Sequence, residues 1–340
     1  MVIQPCTNRM NLDFLPKLRQ KQLIHAKYKE FIIDLDNIKV LPKDLKNELK
    51  AQNFEILSIK PIRSIVSKDK NTIKTLFERT SDNLKFESVL MRYNDGRNSA
   101  CLSCMVGCPL NCSFCATGKM GFKANLTSDE IADQLIFWNA LLKNDNQQIT
   151  NVVYMGMGEP LLNLNNVLES INIISSPDYI GLSQKRITIS TSGIIKGIND
   201  LAAANFKGDL ALSLHSAVQD KRELIMPIAK TNKLPELIES LHNYTKTKRT
   251  RITFEYILIK GINDSEADAQ KLIEIVKEFD ALVNLIPYNK IIGCDFERPS
   301  NNTIFKFKRL LDNNNIFVTL RLTMGSDTGS ACGQLTTNNG

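Results

Sequence analysis

From about residue 150 to 322 the chain alternates short runs of β-branched and apolar residues with helical stretches, and this alternation is the strongest constraint on its fold. The runs are Val152–Met155, Ile187–Thr191, Leu210–Leu214, Ile252–Leu258, Leu282–Ile286 and Ile316–Leu322. Helical patterns fill the intervals at about 163–175, 195–206, 233–246, 264–279 and 301–314. The clearest helix starts earlier, at Thr127: Thr127-Ser-Asp-Glu130 forms a capping box, and Ile131, Leu135, Trp138 and Leu142 make one apolar stripe. Parallel strands joined by helices need crossovers, and six or more such units without a dinucleotide-binding glycine fingerprint favour a full or partial barrel over a doubly wound sheet. The expectation is an α/β protein built as a partial (β/α) barrel, with its chemistry in the loops after the C-terminal ends of the strands.

The first 80 residues differ. Leu15, Leu18, Leu23 and Ile24 fall at helical spacing, Pro42 breaks the pattern, and no run of good strand formers precedes Ile73–Phe77. A small helical module is expected, followed by a hairpin pairing Thr72–Arg79 with Phe86–Arg92 through a turn at Ser81-Asp82-Asn83. Residues 1–80 also carry 16 basic and 9 acidic side chains, which is the whole formal excess of +7, so residues 81–340 balance. Such asymmetry fits a nucleic-acid partner, although a lysine-rich solubilising surface explains the charge equally well on its own. The expected organisation is a basic N-terminal helical accessory domain with a linker hairpin over 1–80, the barrel over 81–335, and a tail over 336–340. No apolar run approaches the length of a membrane span, and the first residues lack the pattern of a secretory signal, so a cytoplasmic protein with no membrane partner is expected.

Eight cysteines in a reducing compartment point to metal ligation or catalysis rather than disulfides. Five of them, Cys101, Cys104, Cys108, Cys112 and Cys115, lie within fifteen residues, while Cys6, Cys294 and Cys332 are scattered. Cys108, Cys112 and Cys115 have the spacing C-x3-C-x2-C. Three thiolates on one tight loop can hold three irons of a [4Fe–4S] cube and leave the fourth iron open for a ligand. With Cys104 as a fourth ligand the same block would read as a zinc knuckle. Farther on, Gly156 and Gly158 flank Met157 after a strand and would let the backbone approach a ligand, with Glu159 able to accept from an ammonium; alone, this is a weak signal.

The cysteine spacing, with Phe114 just before Cys115, resembles the radical S-adenosylmethionine (SAM) superfamily. The blocks Cys101-Leu-Ser-Cys-Met-Val-Gly-Cys108, Ala116–Leu126, Met155-Gly-Met-Gly-Glu-Pro-Leu-Leu-Asn163 and Ala331-Cys-Gly-Gln-Leu335 resemble, in order, the RlmN family, which makes 2-methyladenosine in 23S rRNA and tRNA. The resemblance implies a radical SAM type of barrel with a [4Fe–4S] cluster on Cys108, Cys112 and Cys115. It implies SAM contacts at Gly158, Glu159, Ser190, Ser213, Leu214, His215 and Asn289. Cys332 would carry the methyl group, Cys101 would resolve the adduct through a transient disulfide, and Glu87 would accept the C2 proton, although its offset from Cys101 is one residue longer than the family pattern and a surface glutamate is the plain alternative. Cys6 and Cys294 match no motif. The family pattern has Ser-Ser-Gln where this chain has Ser103-Cys104-Met105, and Arg-Gly-Asp-Asp-Ile-Asp where it has Met324-Gly-Ser-Asp-Thr-Gly329. The implied partners are 23S rRNA, tRNA or both, and an electron-donating reductase, with the enzyme acting as a monomer. Two rivals stand beside this reading: the sister family that methylates C8 of the rRNA adenine, and a zinc-stapled RNA-binding protein without enzymatic activity.

Overall fold

A computed structural model describes residues 12–321 and 328–337. Twelve strands run in chain order: β1 (Ile59–Val66), β2 (Thr72–Arg79), β3 (Lys85–Arg92), β4 (Asn98–Cys101), β5 (Met105–Gly107), β6 (Phe122–Asn125), β7 (Asn151–Tyr154), β8 (Ile187–Thr191), β9 (Asp209–Ser213), β10 (Ile252–Leu258), β11 (Ala281–Pro287) and β12 (Phe317–Leu320). The helices are α1 (Lys17–Tyr28), α2 (Lys43–Ala51), α3 (Ala116–Lys119), α4 (Ser128–Lys143), α5 (Leu164–Ser175), α6 (Ile195–Ala203), α7 (Gln219–Ile225), α8 (Leu234–Lys248), α9 (Glu266–Val276) and α10 (Asn301–Asp312). Ten strands form one sheet in the order β1-β2-β3-β4-β7-β8-β9-β10-β11-β12, and β5 and β6 make a separate hairpin. From β4 to β12 every pair is parallel. The strand order never reverses, so successive crossovers wind the same way and the sheet curls into the expected partial barrel.

Each strand of the barrel has two unlike faces. Ile187 and Ile189, Leu210 and Leu212, Ile252, Phe254 and Tyr256, and Val283 and Leu285 are buried. They point to the helices: the Tyr154 hydroxyl lies 2.7 Å from Ser170 of α5, and the Tyr256 ring packs 5.4 Å from Phe307 of α10. The alternate positions, paired across the sheet as Val89, Cys101, Val153 and Thr188, then Ser190 and Ala211, then Ser213, Glu255, Asn284 and Thr319, form a largely polar inner face. Helix α4 forms as expected: the Thr127–Glu130 capping box is made in both directions, and Trp138, fully buried, donates its indole N–H to Ser88 at 3.0 Å. Among the described residues no helix is long and apolar enough to cross a membrane.

The N-terminal module contains the expected helices, and Pro42 opens α2 rather than ending a helix. Leu15 and Leu23 are buried, but Leu18 is 62% exposed, so the expected stripe is narrower than its spacing suggests. The hairpin of β2 and β3 forms as expected. Strand β1 was not expected: Pro61 lowers its strand character, and the structure accommodates it on a sheet edge with a register shift between Pro61 and Arg63. Exposed Lys60, Arg63, Lys68 and Lys70 along β1 and its turn guard that edge against pairing with another chain. Because β2 pairs along its length with β3, residue 80 falls in a turn inside the main sheet, and the helical module spans residues up to about 57.

A buried ion pair docks this module on the barrel. Lys27 of α1 lies 2.7 Å from Asp133 of α4, both side chains almost wholly buried, and Asp133 also accepts from the backbone N–H and hydroxyl of Ser58. The Tyr28 ring meets Tyr179 edge-on at 4.9 Å beside it. Lys27→Met leaves the Asp133 carboxylate buried without its cation, a loss on the order of 3 kcal/mol. Limited proteolysis is expected to cleave residues 12–57 of that variant well before the barrel, whereas the wild-type module stays protected.

Candidate active site

The rim at the C-terminal ends of the strands collects the motif residues. Beyond β4 the chain is held down at once: Ser103 exchanges two hydrogen bonds of 2.9 Å with the side-chain amide of Gln134, and the N–H groups of Cys104 and Met105 both donate to the Met157 carbonyl. The β5/β6 hairpin then carries the loop from Cys108 to Cys115, with Asn111 in the left-handed region at φ 49°. Ser113 N–H donates to Ile225 at the end of α7 at 3.0 Å, and Ala116 N–H to Gly333 at 2.7 Å, so the loop is fixed from both sides.

Cys112 is buried, and Cys108 and Cys115 are half-buried. Burial pushes the Cys108 thiol up to about 12 and the Cys112 thiol well above its ordinary range, and the three cysteines and Glu159 reinforce this by repulsion. Three thiols on one tight loop are soft sulfur donors of the kind that hold iron–sulfur clusters. One cation is already built in. Arg222 of α7 is fully buried; its Nε donates to Leu214 and one terminal nitrogen to Ser192, while Nη1 has no hydrogen-bond partner among the described residues. Burial lowers its pKa to about 10, with Cys112 pulling the other way, so it remains a guanidinium beside the cysteine loop. The Cys104 thiol donates to the Met157 carbonyl at 3.6 Å.

The residues expected to contact SAM share this rim. A Cβ on Gly156 would lie 2.7 Å from the Leu102 carbonyl oxygen, and one on Gly158, at φ +103°, would lie 2.6 Å from the Met105 side chain. Both glycines are therefore required by contact with the exit of β4, a reason the sequence did not show. Glu159 is buried, and its two carboxylate oxygens already accept from the N–H groups of Leu161 and Ser192 at 3.1 and 2.7 Å. Burial raises its pKa, and those two bonds oppose the rise. Ser190 and Ser213 bring their hydroxyls to 3.5 Å of each other. Leu214 and His215 follow β9, and His215 has a φ of 58°. Its Nδ1 accepts from Ile257 N–H, its ring meets Phe114 edge-on at 4.8 Å, and burial pulls its pKa down to about 3. The imidazole is neutral, with its proton on Nε2.

The segment from 328 to 337 crosses the mouth of the barrel. Asn289, after β11, donates its side-chain amide to the Cys332 carbonyl at 3.3 Å, Thr117 donates its hydroxyl to Leu335 at 2.7 Å, and Gln334 donates to Lys290. Cys332 is exposed within this concave site, and close protein walls still push its thiol up. Cys101, at the end of β4, is buried, with its thiol pushed up to about 12 by burial and further raised by Cys332. Glu87 is not a surface glutamate. It is 3% exposed on the inner face, pairs with Lys74 at 2.9 Å and accepts from Thr336 N–H at 2.9 Å. The turn from Tyr93 to Arg97 lies between Glu87 and Cys101 and joins β3 to β4.

Sequence reasoning missed Lys74, Arg222, Glu255 and Arg321. Arg321, just after β12, donates to the Met155 sulfur, and its positive charge is felt by Cys101, Cys332 and Glu255. Lys74 was discoverable, since a lysine inside Ile73-Lys74-Thr75-Leu76-Phe77 shares the strand parity that puts Glu87 inward. Of the remaining cysteines, Cys294 donates its thiol to the Ser113 carbonyl on the cysteine loop, while Cys6, like Met324, lies outside the described residues.

A model of the Radical SAM superfamily matches residues 102–273. Similar proteins include the ribosomal RNA large subunit methyltransferase N of Nitrosopumilus maritimus, 38% identical over 328 residues that cover 95% of this chain and 93% of that one. A probable dual-specificity RNA methyltransferase RlmN of Clostridium botulinum (strain Loch Maree / Type A3) is 42% identical over 317 residues, covering 93% and 91%. The crystal structure of a radical SAM methyltransferase from Sphaerobacter thermophilus superposes with a TM-score of 0.91 at 38% identity, covering 96% of this chain and 95% of that one. With this agreement over nearly the full length of each chain, the protein belongs to the RlmN family of radical SAM enzymes, RNA methyltransferases whose cofactors are a [4Fe–4S] cluster and SAM.

Proposed function

We propose that the chain methylates C2 of an adenine in 23S rRNA, tRNA or both, through a methyl group carried on Cys332. The feature that supports this reading is that Cys332 and Cys101 feel each other's charge, on a segment whose Thr336 N–H donates to Glu87 and whose Gly333 carbonyl accepts from Ala116, next to Cys115. Cys108, Cys112 and Cys115 would hold the cluster, and Gly158, Glu159, Ser190, Ser213, Leu214, His215 and Asn289 would hold SAM. C2 of a purine is electron-poor, so displacement at a sulfonium methyl does not reach it, and the bound cofactors supply the radical chemistry it needs.

The protein's own groups do the rest. Cys332 would carry a methyl group displaced from SAM, with S-adenosylhomocysteine as the leaving group, and the radical chemistry supplied by the bound cofactors would accept one hydrogen atom from it, leaving the unpaired electron on the sulfur-bound methylene carbon. That carbon bonds to C2; the bound cluster would accept one electron from the adduct, and the Glu87 carboxylate removes the C2 proton, which restores the ring. Burial raises the Glu87 pKa, which suits a base that works near neutral pH. The Cys101 thiolate attacks the Cys332 sulfur and the S–C bond breaks. Its electron pair passes to the methylene carbon, which takes a proton to become the methyl product, and a two-electron reductant later reopens the Cys101–Cys332 disulfide. The Arg321 guanidinium favours the thiolate form of both sulfurs. The exposed lysines of β1 and its turn, with the helical module, would grip folded RNA while an extruded base reaches the mouth. A cytoplasmic monomer fed by an external one-electron reductase completes the proposal.

Protein purified without oxygen is expected to be brown and to hold about four irons per chain. Cys112→Ala is expected to lose the visible chromophore and all SAM cleavage; full SAM cleavage by that variant contradicts the assignment of the loop.

Cys332→Ala is expected to give neither methylated protein nor a protein–RNA adduct. Cys101→Ala still loads the methyl but stalls as a covalent species on a denaturing gel. Normal turnover by Cys101→Ala with no RNA-linked band would pass the resolving role to another thiol.

Replacing Lys60, Lys68 and Lys70 together by Glu is expected to weaken RNA binding roughly tenfold or more near 50 mM salt and to flatten its salt dependence. Unaltered affinity would remove β1 from the RNA surface.

A further inference from the structure

We propose that Lys74 is a positioning residue whose single ammonium holds Glu87 and the backbone at Gly329 together, and so fixes the segment that carries Cys332. The inference rests on the reading above, in which Cys332 carries the methyl group. Lys74 is 2% exposed on the inner face of β2. Its Nζ lies 2.9 Å from Glu87 Oε1 and donates to the Gly329 carbonyl at 3.2 Å. The other oxygen of Glu87 accepts from Thr336 N–H at 2.9 Å. The chain of contacts therefore runs from Gly329, through the ammonium and the carboxylate, to Thr336, and brackets Cys332 from three residues before it to four residues after it.

The bracket is not needed to build the sheet. Strands β2 and β3 are already aligned by their backbone pairs, Lys74 with Val89 and Leu76 with Glu87. Two buried charges cost more to desolvate than an apolar pair of similar volume, so stability alone does not explain them. Other bonds to the segment come from Ala116 and Thr117 after the cysteine loop and from Asn289 and Lys290 after β11. Lys74 and Glu87 supply an attachment of the segment to β2 and β3.

The charged groups facing Glu87 are Lys74 from β2 and Arg63 from β1, and the Thr336 N–H faces it from the segment itself. Glu87 acts as a base only when ionised. Because burial raises its pKa, that capacity is lost as pH falls through the raised value, and removing Lys74 moves the loss to higher pH.

The test compares full-length holoprotein as wild type, Lys74→Met, Lys74→Gln and Lys74→Arg by hydrogen exchange read by mass spectrometry, and follows RNA product formation against pH. In Lys74→Met, exchange in residues 328–337 is expected to accelerate at least about tenfold while α4 and the β8–β10 strands stay at wild-type rates. The acid limb of product formation is expected to move to higher pH, and Lys74→Arg to recover both properties. Exchange that is unchanged in 328–337, or that accelerates equally throughout the barrel, overturns the proposal, as does an acid limb that stays in place. Lys74→Gln serves the same comparison if Lys74→Met does not fold. Wild-type protein that never methylates Cys332 would sink the functional reading instead, and the exchange comparison would still report on the bracket.

Discussion

The sidedness of the barrel strands governs this structure. Along β8 to β11 one face is Ile, Leu, Phe, Tyr and Val, and the other carries Thr188, Ser190, Ser213, Thr253, Glu255 and Asn284. A parallel sheet packed by helices on both sides would be apolar on both faces. Here only one face can be covered by helices, and the polar face must be met by other polar groups or by ligand. Part of that demand is met internally: Asn284 donates to both oxygens of Glu255 and accepts from the Thr319 hydroxyl. The rest of the lumen is left to whatever enters from the rim.

Three basic side chains divide the electrostatic work at that rim. Arg222 lies beside the cysteine loop, Arg321 near Cys101 and Cys332, and Lys74 against Glu87. Each comes from a different part of the chain; Arg222 and Lys74 are fully buried and Arg321 is half-buried, and opposite charges are felt more strongly there than in water. His215 takes no part in this balance, because burial holds it neutral and its Nδ1 is committed to Ile257. Burial raises the pKa of the buried acids and thiols, and these cations oppose part of that rise at Cys101, Cys112, Cys332, Glu87 and Glu255.

Much of the fold was legible in the sequence, because β-branched runs and capping boxes are local signals. The six barrel strands and the main helices fall within a few residues of their expected places. The features that escaped depend on tertiary context. Strand β1 was hidden by Pro61, whose place on an edge is set by its neighbours. Strand β4 is short and begins with Asn98 and Ser99, and its pairing with β3 on one side and β7 on the other carries it. Helix α7 is seven residues long, too short for periodicity to register. At the site, the contiguous motifs identified residues by type and order. Lys74, Arg222 and Arg321 lie outside them, and only pairing register and burial bring them in. Gly156 and Gly158 taught the opposite lesson: their spacing suggested approach to a ligand, while the contacts that demand them are with Leu102 and Met105.

The segment that closes the mouth is attached across very different chain separations: 255 residues from Lys74 to Gly329, 249 from Glu87 to Thr336, 218 from Thr117 to Leu335, and 43 from Asn289 to Cys332. Closure entropy grows only as the logarithm of loop length, so the longest of these links costs about 1.6 kcal/mol more than the shortest. Distance along the chain is thus a small handicap, and the order of events is decided elsewhere. None of the partners exists in place until β2, β3, the cysteine loop and β11 have assembled, so these bonds need a formed rim to receive them. The place of the Cys332 sulfur is therefore set by elements drawn from both ends of the chain, and not by its neighbours in sequence.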